Sequence, residues 1–600
     1  MVLIPPPSFT PTMVWTPQRS VEKCNEIITA PGALHELETA VFWLEHSELH
    51  YDKQYIVYEN ERFTFGQMRE KTLRAAAMLR ESYNIGKGDK VGLCSRNYIE
   101  YLVAFWACHI LGGVSVMLNA WLPQESLEFC ITHTDCKILI LDPERADVLE
   151  NSIPQLVQAN SMTGVLVFRP QEGKGFWKGI LSWDQATAEY HNTDLSEFVQ
   201  EELGIVPEDN ATVYFTSGTT GRPKGVLSTQ RQYLTNAFNV LIGTMRNILR
   251  KGESLDQPIP DEPQKGFLIS VPFFHVTGTT SQGLLATMKG IKIVLIRKWS
   301  VHEAVRLIKA ENIAIAGGVP SMVNELVDMG GLNLDSLNFG GAPSSILLVQ
   351  NVKSSLPNTI LSQGYGMTET NSVAVSITGA DCELRPGSTG LPTPVNDLLI
   401  MDPHTLKEVP RGSVGEVWIR GINVMEGYWK DSEATERVMT SDKWLRSGDL
   451  GYIDKEGFLF IKDRLKDIII RGGENIDSVS VENAVYAHPN VLEAAAIGVP
   501  DKKLGELVAV VVSLKPNCGK VTEEEVIAVA RKTLPRFAVP VMVILQKEPL
   551  GEYFADVAVY IINRPAELTP SGKIIKTKLR VQARDQWLKR GGENVKKARL

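Results

Sequence analysis

Short apolar runs alternate along this chain with longer stretches whose apolar residues return every third or fourth place. The runs at residues 91–94, 114–118, 137–141, 292–296 and 313–316 read as strands. The stretches at 99–111, 125–132 and 301–309 read as helices. Gly112-Gly113 ends one of these helices, and Gly317-Gly318 ends a strand. Ser300 followed by Glu303 predicts a capping box that opens the helix running through Lys309. Continuous apolar strands separated by helices imply sheets covered on both faces, an α/β fold. Residues 1–60 carry little periodicity beyond a helix at 34–46. Residues 246–265 are polar, contain Pro258, Pro260 and Pro263, and read as an exposed excursion. From 387 to 421 short strands with Pro and Gly turns predict a small β unit. After Lys462 a separate α+β section follows, with helices at 481–487 and 522–534 and strands at 494–497, 508–513 and 541–545. The boundary falls at 463–466, which divides the chain into a large domain, 1–463, and a small mobile one, 464–600. No repeat of fixed period is present.

The totals agree with this division. Six hundred residues exceed what one core supports. Apolar content of 44% and charge of 22% are those of a soluble globular protein, and a net charge of −8 gives no basic footprint for nucleic acid. Seven cysteines are odd in number and lack paired metal spacing, so they read as reduced core residues of an intracellular protein. No apolar run is long enough to cross a bilayer. The apolar start breaks at once on Pro5-Pro6-Pro7 and lacks a basic flank, which argues against a signal peptide. Oligomeric state is not legible.

The stretch Tyr214-Phe215-Thr216-Ser217-Gly218-Thr219-Thr220-Gly221-Arg222-Pro223-Lys224-Gly225 carries the clearest chemistry. Its front is a strand end. Its glycines let a ligand approach the main chain, and its freed N–H groups, hydroxyls and Lys224 ammonium suit a polyphosphate. It lacks the Lys-Ser/Thr pair of P-loop nucleotide sites. Downstream, Gly364-Tyr365-Gly366-Met367-Thr368-Glu369 offers an aromatic cover, a hydroxyl for phosphate and, in Glu369, a carboxylate oxygen for Mg²⁺.

These stretches resemble the phosphate loop and later motifs of the adenylate-forming superfamily, which includes acyl-CoA synthetases, and the likeness runs from about Thr64 to Arg580. The resemblance implies that Thr216, Ser217, Gly218, Thr219, Thr220, Gly221 and Lys224 hold the phosphates of ATP, with Thr219 among the catalytic groups. It implies that Gly340-Gly341-Ala342-Pro343 packs on adenine, with Gly364, Tyr365 and Gly366 opposite and Thr368 at a phosphate. It places His275, in Pro272-Phe273-Phe274-His275-Val276-Thr277-Gly278, beside the acid's carboxylate. Asp449 becomes the ribose acceptor, Arg464 a second ribose contact, and Lys466 the hinge. Gly472-Gly473 would border the pantetheine of CoA, although Ser478 and Ser480 stand where Pro and Glu often follow. Lys573, in Leu568-Thr569-Pro570-Ser571-Gly572-Lys573, would be the catalytic lysine.

The reading that follows is a carboxylic acid:CoA ligase using ATP, Mg²⁺ and CoA, acting on a medium- or long-chain fatty acid. An aryl-acid ligase is the alternative within enzymes, and a catalytically impaired nucleotide-binding protein the alternative outside them. Residues 551–564 interrupt the expected approach to Lys573; excising them joins Leu550 to Pro565, so they are expected to be a translated short intron or a recent insertion. Ala598-Arg599-Leu600 is similar to the Ser-Lys-Leu peroxisomal address and predicts that location over the cytoplasm.

Overall fold

The computed structural model describes residue 24 and residues 39–190, 204–216, 222–255, 263–341, 346–472, 474–515, 518–547, 550, 574 and 576–592. The first of four sheets has eight strands and runs mostly parallel through its centre, where Val114–Met117, Lys90–Cys94, Ile138–Leu141 and Gly164–Val167 lie side by side. The first three are continuous apolar runs read from the sequence, Gly164–Val167 is a further strand, and nearly every residue in them is buried. Chains of this kind cannot leave one face in water, so helices such as Ile99–Ile110 and Phe65–Tyr83 cover them. The second sheet has nine strands; Gly266–Ile269, Ile313–Gly318, Ser336–Gly340 and Ile360–Met367 are parallel at its centre, and Ser372–Thr378 returns antiparallel. The β unit expected at 387–421 is larger than its sequence pattern. It is a four-stranded antiparallel sheet in the order Asn396–Met401, Gly415–Gly421, Leu445–Ile453, Leu459–Arg464. The fourth sheet begins after it, at Ile469–Arg471, and is built round the long pair Val491–Asp501 and Gly505–Leu514.

Several expectations need correction. The helix at 34–46 is Thr39–Leu49, and 34–38 lie outside the described residues. The helix expected at 522–534 stops at Ala530. Ser300 Oγ accepts from Glu303 N, but the box is only half made, because the Glu303 carboxylate turns to Arg306 (2.7 Å). Residues 246–250 are not an excursion. They finish the helix Gln230–Arg250 with Arg246 and Arg250 buried, one donating to the carbonyl of Pro392 (2.6 Å) and the other to both oxygens of Asp381 (3.0 and 2.8 Å). Polar side chains sit in a buried seam because their partners come from elements distant in the chain, the strand Leu391–Pro392 and the helix Ala380–Leu384. After His275 the chain forms a π-helical segment, Thr277–Gly283, which continues into the helix Leu284–Lys289. The cysteines are free, and six of the seven are buried. Among the described residues no helix is long and apolar enough to cross a membrane. Residues 551–564 and the terminal tripeptide lie outside the described residues.

Candidate active site

The glycine-rich loop leaves from a strand end, as its apolar front implies, and returns as a second strand. Asn210–Thr216 and Lys224–Thr229 pair antiparallel with Thr216 opposite Lys224, so the strands that flank the glycine-rich stretch form a hairpin base that presents a hydroxyl and an ammonium. Ser217, Gly218, Thr219, Thr220 and Gly221 lie outside the described residues, as do Ala342, Pro343, Gly473 and Lys573. Thr216 and Lys224 line a cavity of about 1690 Å³.

The second sheet supplies the opposite wall. Gly340 ends its strand in register with Gly364 of Ile360–Met367. A side chain at Gly340 would place its Cβ 2.6 Å from the Gly364 carbonyl oxygen, so glycine is what lets these strands meet. Gly341 follows with φ of +75° and open space where a side chain would stand. Tyr365 donates its hydroxyl to Asp449 Oδ2 at 2.8 Å, and Arg464 Nε lies 3.3 Å from Asp449 Oδ1. Asp449 and Arg464 are cross-strand partners in the small β unit, and so a residue of each sheet is tied to one carboxylate. Burial first, and the Asp449 charge second, push the Tyr365 phenol well above its ordinary range, so it remains a donor. The ammonium of Lys466 is held below its usual range by partial burial and then by Arg464.

Gly364, Tyr365, Gly366, Thr368, Glu369, Asp449, Arg464 and Lys466 line the same cavity as Lys224. His275 lines it too, its ring centroid 5.1 Å from that of Phe274. Ile574 and Lys576, just past Lys573, also reach it. Lys576 Nζ pairs with Glu482 Oε1 at 2.7 Å, which fixes the start of the helix Lys576–Lys589 on the helix Ser478–Tyr486. Gly472 is not brought to the cavity. Its N–H donates to Leu504 O at 2.7 Å, and Arg471 pairs with Gly505, which keeps that hairpin on the small sheet. Tyr428 and Lys576 are among the lining residues not singled out from sequence. Tyr428 donates to Glu369 Oε1 at 2.8 Å, and Lys576 lay hidden in a basic tail. A lone tyrosine between Gly427 and Trp429 has no sequence signature.

Comparison with known proteins gives the same outline. The family model for the AMP-binding enzyme matches residues 44–429, and that for the AMP-binding enzyme C-terminal domain matches residues 480–552. The long-chain-fatty-acid–CoA ligase FadD13 of Mycobacterium tuberculosis is 30% identical over 528 residues, which cover 87% of this chain and 93% of that one. The 2-succinylbenzoate–CoA ligase of Bacillus cereus is 30% identical over 511 residues, 84% of this chain and 94% of the relative. Among solved structures, the Bacillus subtilis o-succinylbenzoate coenzyme A synthetase in complex with ATP and magnesium ion superposes with a TM-score of 0.69 at 25% identity, covering 84% of this chain and 96% of that one.

Proposed function

The chain belongs to the AMP-binding enzyme family, and from that premise we propose that it is an AMP-forming acyl-CoA ligase whose site lies where Lys224, Tyr365, Glu369, Asp449 and Arg464 share one cavity. The observation that carries the assignment of residues is the carboxylate of Asp449, held by Tyr365 from one sheet and Arg464 from another. Such a carboxylate accepts from the paired hydroxyls of a ribose, and the bare backbone at Gly340 and Gly341 takes a flat base. The donor set also suits Mg²⁺. Glu369 Oε1 takes the Tyr428 hydroxyl, while its other oxygen receives no hydrogen bond from the described residues. One carboxylate plus phosphate oxygens is how this ion is usually held. No cluster of three His, Cys, Asp or Glu side chains occurs among the described residues, which favours that arrangement over an all-protein cage. When bound, Mg²⁺ supplies positive charge that screens the triphosphate.

In this reading the hairpin base and its loop, with Thr216, Ser217, Gly218, Thr219, Thr220, Gly221 and Lys224, bind the phosphates, and Thr368 adds a hydroxyl. The acid's carboxylate attacks the α-phosphorus, pyrophosphate leaves, and an acyl-adenylate remains. Lys573 neutralises charge in that step, and His275 stands at the acid's carboxylate. The thiol of CoA then attacks the acyl carbon and AMP leaves. The small domain, 464–600, turns about Lys466 between the steps and brings Gly472-Gly473 to the thiol's approach. Anion attacking anion is the intrinsic difficulty, so positioning and electrostatics provide most of the catalysis.

The acid is a medium- or long-chain fatty acid in our preferred reading. Val240, Val271, Val276, Leu285 and Phe339 line the same cavity as His275 and suit a hydrocarbon tail, and the likeness to FadD13 supports this. An aryl acid is the second reading, supported by the equal likeness to the 2-succinylbenzoate ligase. A panel of fatty and aromatic acids assayed for AMP and pyrophosphate release separates them. Release with no acid of either class would overturn the ligase reading. We also propose that residues 551–564 are an insertion, which the end of the C-terminal match at residue 552 supports. A mature transcript lacking those codons is the expected result of sequencing it.

A further inference from the structure

Tyr428 stands where separate parts of the site meet, and the roles given above leave it without one. It lies in the short strand Gly427–Tyr428, antiparallel to Lys224–Thr229 with Tyr428 opposite Val226. Its backbone is clamped on every side. Glu426 N donates to Leu227 O at 2.9 Å, Trp429 N to Gly225 O at 2.7 Å, and Tyr428 N to Thr435 Oγ1 at 2.9 Å. A backbone held this way sets the direction of its side chain. The hydroxyl meets Glu369 Oε1 at 2.8 Å, and the same segment takes the Glu369 carbonyl oxygen through Met425 N, also at 2.8 Å. The face of the ring lies 4.9 Å from Lys224 Nζ.

We propose that Tyr428 is a positioning residue that presents Glu369 to the divalent cation and Lys224 to the polyphosphate. The inference rests on the roles given to those two residues under the proposed function. The phenol proton fills Oε1 and fixes the plane of the carboxylate, which leaves the other oxygen for the cation. Partners that orient a metal-ligating group in this way are worth about 10–100-fold in metal affinity. The ring's electron-rich face steadies the Lys224 ammonium at the hairpin base. A tyrosine that only fills space between strands would lose nothing at the cation when its hydroxyl is removed.

The test is Mn²⁺ binding, read by electron paramagnetic resonance in the presence of a nonhydrolysable ATP analogue, on the full chain. Tyr428→Phe keeps the ring and the Lys224 platform. Its Mn²⁺ affinity is expected to fall about 10–100-fold. Its affinity for the metal-free analogue and its melting temperature should stay at the wild-type values. Tyr428→Ala should also weaken binding of the metal-free analogue. Raising Mg²⁺ should restore the pyrophosphate release of Tyr428→Phe, and a deficit that persists at saturating Mg²⁺ overturns the inference. Glu369→Gln serves as the reference. If it binds Mn²⁺ like the wild type, the assignment of Glu369 itself fails. If it loses Mn²⁺ while Tyr428→Phe does not, the inference about Tyr428 fails alone.

Discussion

Asp449 shows how much one side chain is asked to do. It accepts from Tyr365 and pairs with Arg464, and in the proposed reading it also accepts from ribose. Asp449→Asn keeps the volume and removes the charge. Hydrogen bonds to a charged group are worth about 1.5–3 kcal/mol, so ATP affinity measured by calorimetry is expected to fall roughly tenfold to hundredfold. Lys573→Ala should cost about a hundredfold or more in adenylate formation and spare thioester formation from supplied adenylate; equal loss of both steps would refute its role. The buried His109 and the half-buried His46 contribute to the response to acid. Burial holds the His109 imidazole neutral down to about 3, against 6.5 in an unfolded chain. Between those values the unfolded chain binds the extra proton, so stability falls as the medium is acidified from pH 6.5 toward 3 and levels off below. The slope is about 1.4 kcal/mol per pH unit. Denaturant unfolding at several pH values should show it, and His109→Asn should reduce it to the share left by His46.

At the scale of elements, the site depends on strands that approach more closely than side chains allow. A Cβ on Gly366 would stand 1.5 Å from the Ser372 carbonyl oxygen, so Gly366→Ala must push Ile360–Met367 away from Ser372–Thr378. Tyr365 and Thr368 ride on that strand and its exit. We expect a loss of about 3 kcal/mol in unfolding free energy. ATP affinity should fall well beyond the stability loss; unchanged affinity in the folded fraction would contradict the placement of the site. The helices show where reading by apolar pattern fails. Gln230–Arg250 buries Thr235, Asn236, Asn239, Arg246 and Asn247 beside the apolar Tyr233, Leu234, Ala237, Ile242 and Leu249, so buried polar positions widen its inner face beyond the apolar stripe. Its start was written in Thr229 and Gln232, a complete capping box, as is Thr64 with Gln67 before Phe65–Tyr83. The strand runs were legible because both faces are buried and only Ser115 interrupts them, with Lys137 and Lys292 standing at two of their starts.

The whole molecule is a set of sheets that converge on one cavity, with the last sheet attached through the turn that follows Arg464. Ile574 and Lys576 reach the cavity from the small unit, whereas Gly472 does not. In the two-step reading this is the arrangement suited to adenylate formation. Brief trypsin treatment is expected to cut first at Arg464 or Lys466 and leave two resistant fragments, with ATP and an unreactive acid analogue slowing the cut. First cleavage inside either fragment would show that the division at 463–466 is misplaced.

The sequence alone determined the alternation of strands and helices, the glycines, hydroxyls and lysine of the stretch proposed to bind phosphate, and the residue types at Glu369 and Asp449. Those follow from local physics: burial patterns, backbone freedom at glycine, and the charge of a carboxylate. Only the tertiary structure decided that Tyr365 holds Asp449, that Tyr428 holds Glu369, and that Gly472 stands apart from the cavity. Each of these joins or separates positions far apart in the chain. The packing of whole sheets sets such distances, and no local pattern of residues encodes them.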